Sequence, residues 1–227
     1  MNERARIDTE KRAPKRGGGE SPARSAADFV PARLSIKSLR TAAAGCTGCD
    51  LYKRATQTVF GEGPSNATIV LVGEQPGDQE DRSGHPFVGP AGRVLERALT
   101  EAGIPRHAVY ITNAVKHFKW VARGKRRLHQ RPREGEIDAC TPWLAAELRL
   151  IEPRFLVCLG VTAARAAFGH SVRLKDHRGK LTATPLSPNT FVTIHPSAVV
   201  RLREPERTRE YALFVADLNG LRDLAAR

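Results

Sequence analysis

Four short apolar runs constrain this chain most. They are Ala67–Gly73 (ATIVLVG), Val109–Asn113 (VYITN), Phe155–Gly160 (FLVCLG) and Phe191–His195 (FVTIH). Each is five to seven residues, mostly β-branched and apolar side chains bounded by polar or turn residues, the pattern of a buried strand. Between them lie segments of helical period. Pro90–Ala102 carries Val94, Leu95, Ala98 and Leu99 on one face, with Gly103 just past its end. Residues 134–150 repeat the pattern, with Pro142 requiring a kink or a restart. Further helices are expected over 35–44, 162–168 and 206–226. Buried strands alternating with helices specify an α/β three-layer sandwich around a mostly parallel sheet.

That architecture gathers chemistry at one edge, because ligands bind beyond the carboxyl ends of parallel strands. Three of the runs lead directly into polar clusters. The first enters Gly73-Glu74-Gln75-Pro76-Gly77-Asp78, the second ends on Asn113, and the fourth enters His195-Pro196-Ser197. One fold edge would make these a single site. Asn113 offers an amide suited to a pyrimidine edge. Phe87, in Gly84-His-Pro-Phe-Val-Gly89, either stacks on a base or fills the core. His195 can donate to a carbonyl oxygen that gains negative charge. Glu74 and Asp78 can orient a nucleophile or stabilise an oxocarbenium-like sugar, or simply cap a turn.

From Lys116 to Arg133 the chain carries eight Lys or Arg, two His, two aromatics and no acid. Cations beside aromatics suit a polyanion with stackable bases. Lys125, Arg126 and Arg127 either hold phosphates or anchor this stretch to the domain's own carboxylates. The whole chain has a formal charge of +13, and the first 27 residues contribute only +3, so the folded part is itself strongly basic. Residues 1–27 read as a disordered basic tail and 28–227 as one domain. With no apolar run near the ~20 residues of a membrane span and no signal-type apolar segment, the expected setting is the cytoplasm, with nucleic acid as partner and no membrane.

Four cysteines in such a chain argue against a disulfide framework. Cys158 sits in an apolar strand and reads as a core thiol. Cys46-Thr-Gly-Cys49 has metal or cluster spacing, leaving Cys46, Cys49 and Cys140 as three exposed candidates, with His117 as a fourth. Zinc and an iron–sulfur cluster both fit this set.

Taken in order, Gly73-Glu-Gln-Pro-Gly77, Gly84-His-Pro-Phe-Val-Gly-Pro-Ala-Gly92, the Thr-Asn-Ala-Val-Lys stretch ending at Lys116, and His195-Pro-Ser197 resemble the family 4 pattern of the uracil-DNA glycosylase superfamily over about residues 40–225. The resemblance implies a [4Fe–4S] cluster in preference to zinc. Gln75, His117 and the basic insertion at Lys125–His129 depart from that pattern and resemble its UdgX subgroup, whose GEQPGDQED segment is here Gly73–Asp81. Leu128 replaces the commoner Ile of that loop. The subgroup resemblance implies excision of uracil, preferentially from single-stranded DNA, followed by covalent attachment to the sugar C1′ through a loop histidine, here His129. It further implies Gly73, Gln75, Phe87 and Asn113 around the uracil, His195 on the departing base, Glu74 and Asp78 beside the reacting centre, Ser197 with Lys125, Arg126 and Arg127 on DNA, and a monomer. Two alternatives stand beside it: a hydrolytic family 4 glycosylase with multiple turnover, and a non-catalytic single-strand DNA-binding protein with a structural metal.

Overall fold

The computed structural model describes residues 24–226. The expected tail therefore lies mostly outside the described residues, but its last four do not. Ser25 caps a 3-10 turn at Ala26–Phe29, and Ala26 is buried, which moves the start of the packed domain upstream of residue 28.

Among the described residues eight α-helices and seven strands follow: α1 Ile36–Ala43, β1 Ile69–Gly73, α2 Asp78–Ser83, α3 Pro90–Glu101, β2 Val109–Asn113, β3 Trp120–Arg123, β4 Arg126–His129, α4 Glu134–Ile151, β5 Phe155–Leu159, α5 Val161–Phe168, α6 Leu174–His177, β6 Leu181–Thr184, β7 Ser187–Thr193, α7 Pro196–Arg201 and α8 Glu206–Ala225. The main sheet runs β2-β1-β5-β7-β6, parallel except for β6 at its edge. β1, β2 and β5 are buried along their whole length, which is why they read as continuous apolar runs. One core cluster packs α1, α4 and α5 on one face, and a second packs α3 and α8 on the other. This is the expected three-layer α/β sandwich. Among the described residues no helix is long and apolar enough to cross a membrane.

Three features depart from the sequence reading. Pro142 neither stops nor restarts α4, which is one helix of 18 residues; the Thr141 hydroxyl bonds the Ile137 carbonyl in the turn that the proline interrupts. The fourth strand begins at Ser187 rather than Phe191 and pairs with β6, an exposed edge strand whose polar composition concealed it. The basic stretch is not a loop. It is the antiparallel hairpin β3–β4, turned at Gly124, whose φ of +58° a side-chain-bearing residue would adopt at a cost.

The chain leaves β1 toward β2 on one side and returns to β5 on the other, so the strand order reverses between β1 and β5. That switch point opens the crevice in which a ligand is expected.

Candidate active site

A cleft of about 1000 Å³ lies over this crevice, lined by Glu74, Phe87, Asn113, His129, Thr162 and His195 among others. It draws on the ends of β1, β2, β5 and β7 and on the hairpin, so the three strand-end clusters do meet.

Asn113 ends β2 directly beside Gly73 of β1. It is 2% exposed, and its Oδ1 has no hydrogen-bond partner among the described residues. A buried acceptor without a partner is costly, and a ligand N–H would satisfy it. Gly73 makes room: a β-carbon there would run into Asn113 Oδ1 and come within 2.6 Å of Phe87 Cζ. Phe87 itself holds a φ of +57°, a strained conformation for an aromatic residue. Its ring stacks on that of His195, with centroids 5.9 Å apart and an interplanar angle of 28°.

His195 has its tautomer set by its neighbours. Nδ1 accepts from the Ser197 backbone N–H at 3.1 Å and contacts the Ser197 hydroxyl at 2.9 Å, while Arg201 donates to that hydroxyl at 3.0 Å. The proton therefore resides on Nε2. Burial, reinforced by Arg201 and His129 and opposed by Glu74, lowers the His195 pKa from 6.5 to about 4. The ring is thus a neutral donor at physiological pH. Because the unfolded chain takes up this proton near 6.5 and the folded one only near 4, stability present at neutral pH declines as the pH falls through that window. In a His129→Ala background, the acid limb of any base release should therefore sit nearer pH 4 than 6.5 in a single-turnover pH profile.

Glu74 stands between the hairpin and β5. Its Oε1 is 3.1 Å from His129 Nε2, and its Oε2 accepts from the Thr162 hydroxyl at 2.5 Å. Burial raises the carboxyl, but the His129 ring, the Thr162 hydroxyl and the charge neighbourhood outweigh it, and the pKa lies below the usual carboxylate value. Glu74 is therefore an anion held against an imidazole. Thr162 was not singled out from the sequence, although it follows the β5 strand end by the same rule that found Asn113.

His129 ends β4, half exposed, beside Phe118. The hairpin that carries it is fastened on three sides. The Gln75 side chain donates to the carbonyls of Lys119 at 3.2 Å and Gln130 at 3.0 Å and accepts from the Lys119 N–H at 3.1 Å, pinning both strands at the open end of the hairpin. Arg127 bonds Asp78 and reaches the fully buried Asp81 at 2.6 Å. Trp120 donates its indole N–H to the Arg54 carbonyl at 2.9 Å.

These contacts correct several expected roles. The Gln75 amide is engaged by backbone groups and does not present a free edge to a base. Asp78 is taken up by Arg127 and Arg82; burial raises its carboxyl, but the two guanidiniums hold it below the ordinary value. Arg127 is the hairpin's anchor and not a free phosphate ligand, because its charge is met by two carboxylates. The Ser197 hydroxyl supports His195. Lys125 and Arg126 alone of that group are exposed at the hairpin turn. Replacing Gln75 by Ala should leave the Gln130 carbonyl and the Lys119 amide without partners, while the Lys119 carbonyl keeps the Gln130 N–H at 2.9 Å, and loosen His129, slowing any step that needs this ring about tenfold or more in single-turnover kinetics while the overall fold is retained.

Behind the cleft, Cys46 and Cys140 are buried and Cys49 is half-buried, so none of the three is the exposed thiol expected. Burial pushes the Cys140 thiol up to about 12; the Lys116 charge and amide oppose the rise, and Cys49 and Cys46 add to it. Their sulfurs also receive N–H donors: Gly48 N–H at 3.5 Å and Trp143 Nε1–H at 3.3 Å on Cys46, and the Lys116 amide at 3.3 Å on Cys140. His117, the residue after Lys116, is buried, and burial lowers its pKa to about 4. Among the described residues no group of three or more His, Cys, Asp and Glu converges on a single metal-ion position. Cys158 is the expected core thiol, fully buried in β5.

A parallel α/β sandwich with a polar cleft at its switch point defines a ligand-binding or enzymatic domain, and comparison with known proteins says which. Residues 60–219 match the uracil DNA glycosylase superfamily. The chain is 41% identical over 173 residues to a type-4 uracil-DNA glycosylase of Archaeoglobus fulgidus, covering 73% of this chain and 82% of that one. It is 38% identical over 165 residues to the type-4 uracil-DNA glycosylase of Thermotoga maritima, covering 72% and 82%. A type-5 uracil-DNA glycosylase of Pyrobaculum aerophilum is 34% identical over 153 residues, 60% of this chain and 63% of that one. The chain belongs to the uracil-DNA glycosylase superfamily, in its type-4 family.

Proposed function

We propose that this protein excises uracil from DNA, preferentially single-stranded, and remains joined to the deoxyribose C1′ through His129. The observation that carries this reading is the imidazole of His129 held within the cleft, 3.1 Å from the Glu74 carboxylate. Type-4 relatives are uracil-DNA glycosylases by name, which supports the base-excision half.

A uracil inside a duplex must first leave the stack, at a cost of a few kcal/mol that a single strand largely avoids. In the cleft, Asn113 Oδ1 accepts the uracil N3–H, and its amide nitrogen faces O4. Phe87 lies against the base. Neutral His195 donates its Nε2–H to O2 as charge grows there. The N-glycosidic electron pair departs with uracil N1, and the uracil anion later takes a proton from water. C1′ gains oxocarbenium character, stabilised by ionised Glu74. The lone-pair nitrogen of His129 then forms the C1′–N bond, and the proton on its other nitrogen passes to Glu74 or to solvent. An imidazole bound to C1′ is a poorer leaving group than hydroxide exchange would require, so the adduct persists and one molecule turns over once. Glu74 and His129 come from one chain, which suits a monomer, and nothing in this chemistry needs a membrane. A cytoplasmic setting is part of the same reading.

The reading also assigns Cys46, Cys49, Cys140 and His117 to a [4Fe–4S] cluster rather than zinc. Three neighbouring thiols, N–H donors on the Cys46 and Cys140 sulfurs and a neutral buried imidazole suit thiolate-rich ligation. The cluster would tie the loop after α1 to α4 and contribute no step at the sugar. Iron and sulfide analysis of the purified protein, with Cys140→Ser as control, tests it.

Free uracil measured against enzyme concentration tests the function. Release that stops at about one uracil per protein molecule supports the covalent reading. Continued release points to hydrolytic turnover, and no release with equal binding of uracil-containing and plain strands points to a non-catalytic DNA-binding protein.

A further inference from the structure

The cations around the cleft fall into two groups. Arg127 is held by Asp78 and Asp81, Arg82 by Asp78, Lys119 by Glu136, and Lys116 by Glu147. Each already has its carboxylate, so a phosphate approaching it must compete with that carboxylate. Arg131 and Arg201 differ. Both line the cleft, both are exposed, and neither has a carboxylate partner among the described residues. Among the described residues the only side chain bonded to Arg201 is the Ser197 hydroxyl, reached through one nitrogen at 3.0 Å. That leaves the rest of its guanidinium fork unused.

Their positions in the chain are complementary. Arg131 lies two residues beyond His129, on the segment leaving the hairpin. Arg201 closes α7, six residues beyond His195. The wall of the cleft that carries the reacting imidazole thus has one free guanidinium, and the wall that carries the base-facing imidazole has another. The cleft also contains Glu74 and Asp78, whose negative charge would repel a polyanion unless cations stood at its mouth.

A nucleotide turned out of a strand carries two phosphates, one on each side of its sugar. We infer that Arg131 and Arg201 form a phosphate clamp, each taking one of the two phosphates that flank the uracil nucleotide, so that C1′ is presented to His129 with its base toward Asn113. This rests on the uracil-DNA reading above. Guanidinium matches phosphate in a bidentate geometry that fixes direction as well as charge, and a sugar held at both ends cannot slide along the cleft. The hairpin-turn cations Lys125 and Arg126, by contrast, lie outside the cleft lining and would meet strand further from the reacting nucleotide.

The test pairs arginine variants with neutralised phosphates. The ligand is a single-stranded oligonucleotide with one 2′-fluoro-2′-deoxyuridine, whose electron-withdrawing fluorine blocks base release so that binding is at equilibrium. Three forms are used: all phosphates charged, a methylphosphonate on the 5′ side of the uridine, or one on the 3′ side. The proteins are wild type, Arg131→Gln and Arg201→Gln, with Arg201→Lys to retain charge beside Ser197, and circular dichroism confirms folding. Each neutral linkage should weaken wild-type binding about fivefold to tenfold, and each Gln variant should do the same with the charged strand. Each Gln variant should then be indifferent to one linkage and fully sensitive to the other, with the pattern opposite in the two. The salt dependence of binding should fall by about 1 in logarithmic slope per arginine removed. Losses that simply multiply in all four combinations would overturn the clamp. Failure of the uracil reading shows elsewhere: the wild type would neither release uracil from the natural strand nor prefer the uridine analogue over thymidine.

Discussion

Replacing Asn113 by Asp should reduce uracil release about a thousandfold, with little change in binding to strands that lack uracil. The substitution preserves shape and reverses hydrogen-bonding capacity at one atom. Asn113 is held on every side but one. Its strand pairs with β1, its neighbour Gly73 leaves space for the amide, and its backbone carbonyl accepts from the Lys116 ammonium at 2.8 Å. Its buried Oδ1 has no partner among the described residues. A base with an N–H beside a carbonyl completes this amide, whereas a carboxylate offers no donor to that carbonyl and is itself costly to bury. A site built to hydrogen-bond one edge commonly rejects its mismatch by factors of 10⁴ or more, and the more modest figure allows for water entering a cleft of this size. Single-turnover release from a uracil-containing strand, beside affinity for a plain strand, separates base reading from general DNA binding.

The largest effect on stability is expected from Lys116→Met. Lys116 and Glu147 are both fully buried, with Nζ 2.6 Å from Oε2. Glu147 also accepts from the Tyr110 hydroxyl at 2.8 Å and the Thr112 hydroxyl at 3.1 Å, and Lys116 donates to the Thr112 hydroxyl at 2.6 Å. Burial, followed by the Glu147 charge, raises the Tyr110 phenol well above its usual range and keeps it a donor. Removing the ammonium leaves a carboxylate charged and dry, which costs about 3–5 kcal/mol. The double variant Lys116→Met with Glu147→Gln removes both charges and keeps an acceptor for Tyr110. It should recover most of that loss, and urea unfolding of the two proteins checks it. The same ammonium ties down Asn113, so the single variant should also lose uracil release.

The sheet was legible in the sequence because buried parallel strands have no solvent face, and ATIVLVG, VYITN and FLVCL therefore appear as unbroken apolar runs. The gathering of Glu74, Asn113 and His195 was legible for the same reason: parallel strands all end at one edge. The hairpin was not. Trp120–Arg123 and Arg126–His129 are largely exposed, so charge rather than period dominates their composition, and the Gly124 turn was the sole local signal. Partnering was also hidden. Nothing in the spacing shows that Arg127 folds back onto Asp78 and Asp81 or that Gln75 closes the hairpin, because both contacts join segments more than 40 residues apart. Arg131 and Arg201 escaped notice for the converse reason. In a chain with 37 Lys and Arg, the informative cations are those without a carboxylate partner among the described residues, and that is a property of the fold.

The central claim is that His129 is the nucleophile, and a denaturing gel tests it most directly. Purified protein is mixed with an end-labelled single strand bearing one uracil, beside His129→Ala. A slow band that survives heat and SDS with the wild type, and is absent from the variant while uracil is still released to water, is the expected result. Alkali-labile strands accumulating beyond one per wild-type molecule, with no such band, would contradict it and leave the hairpin as a DNA clamp alone.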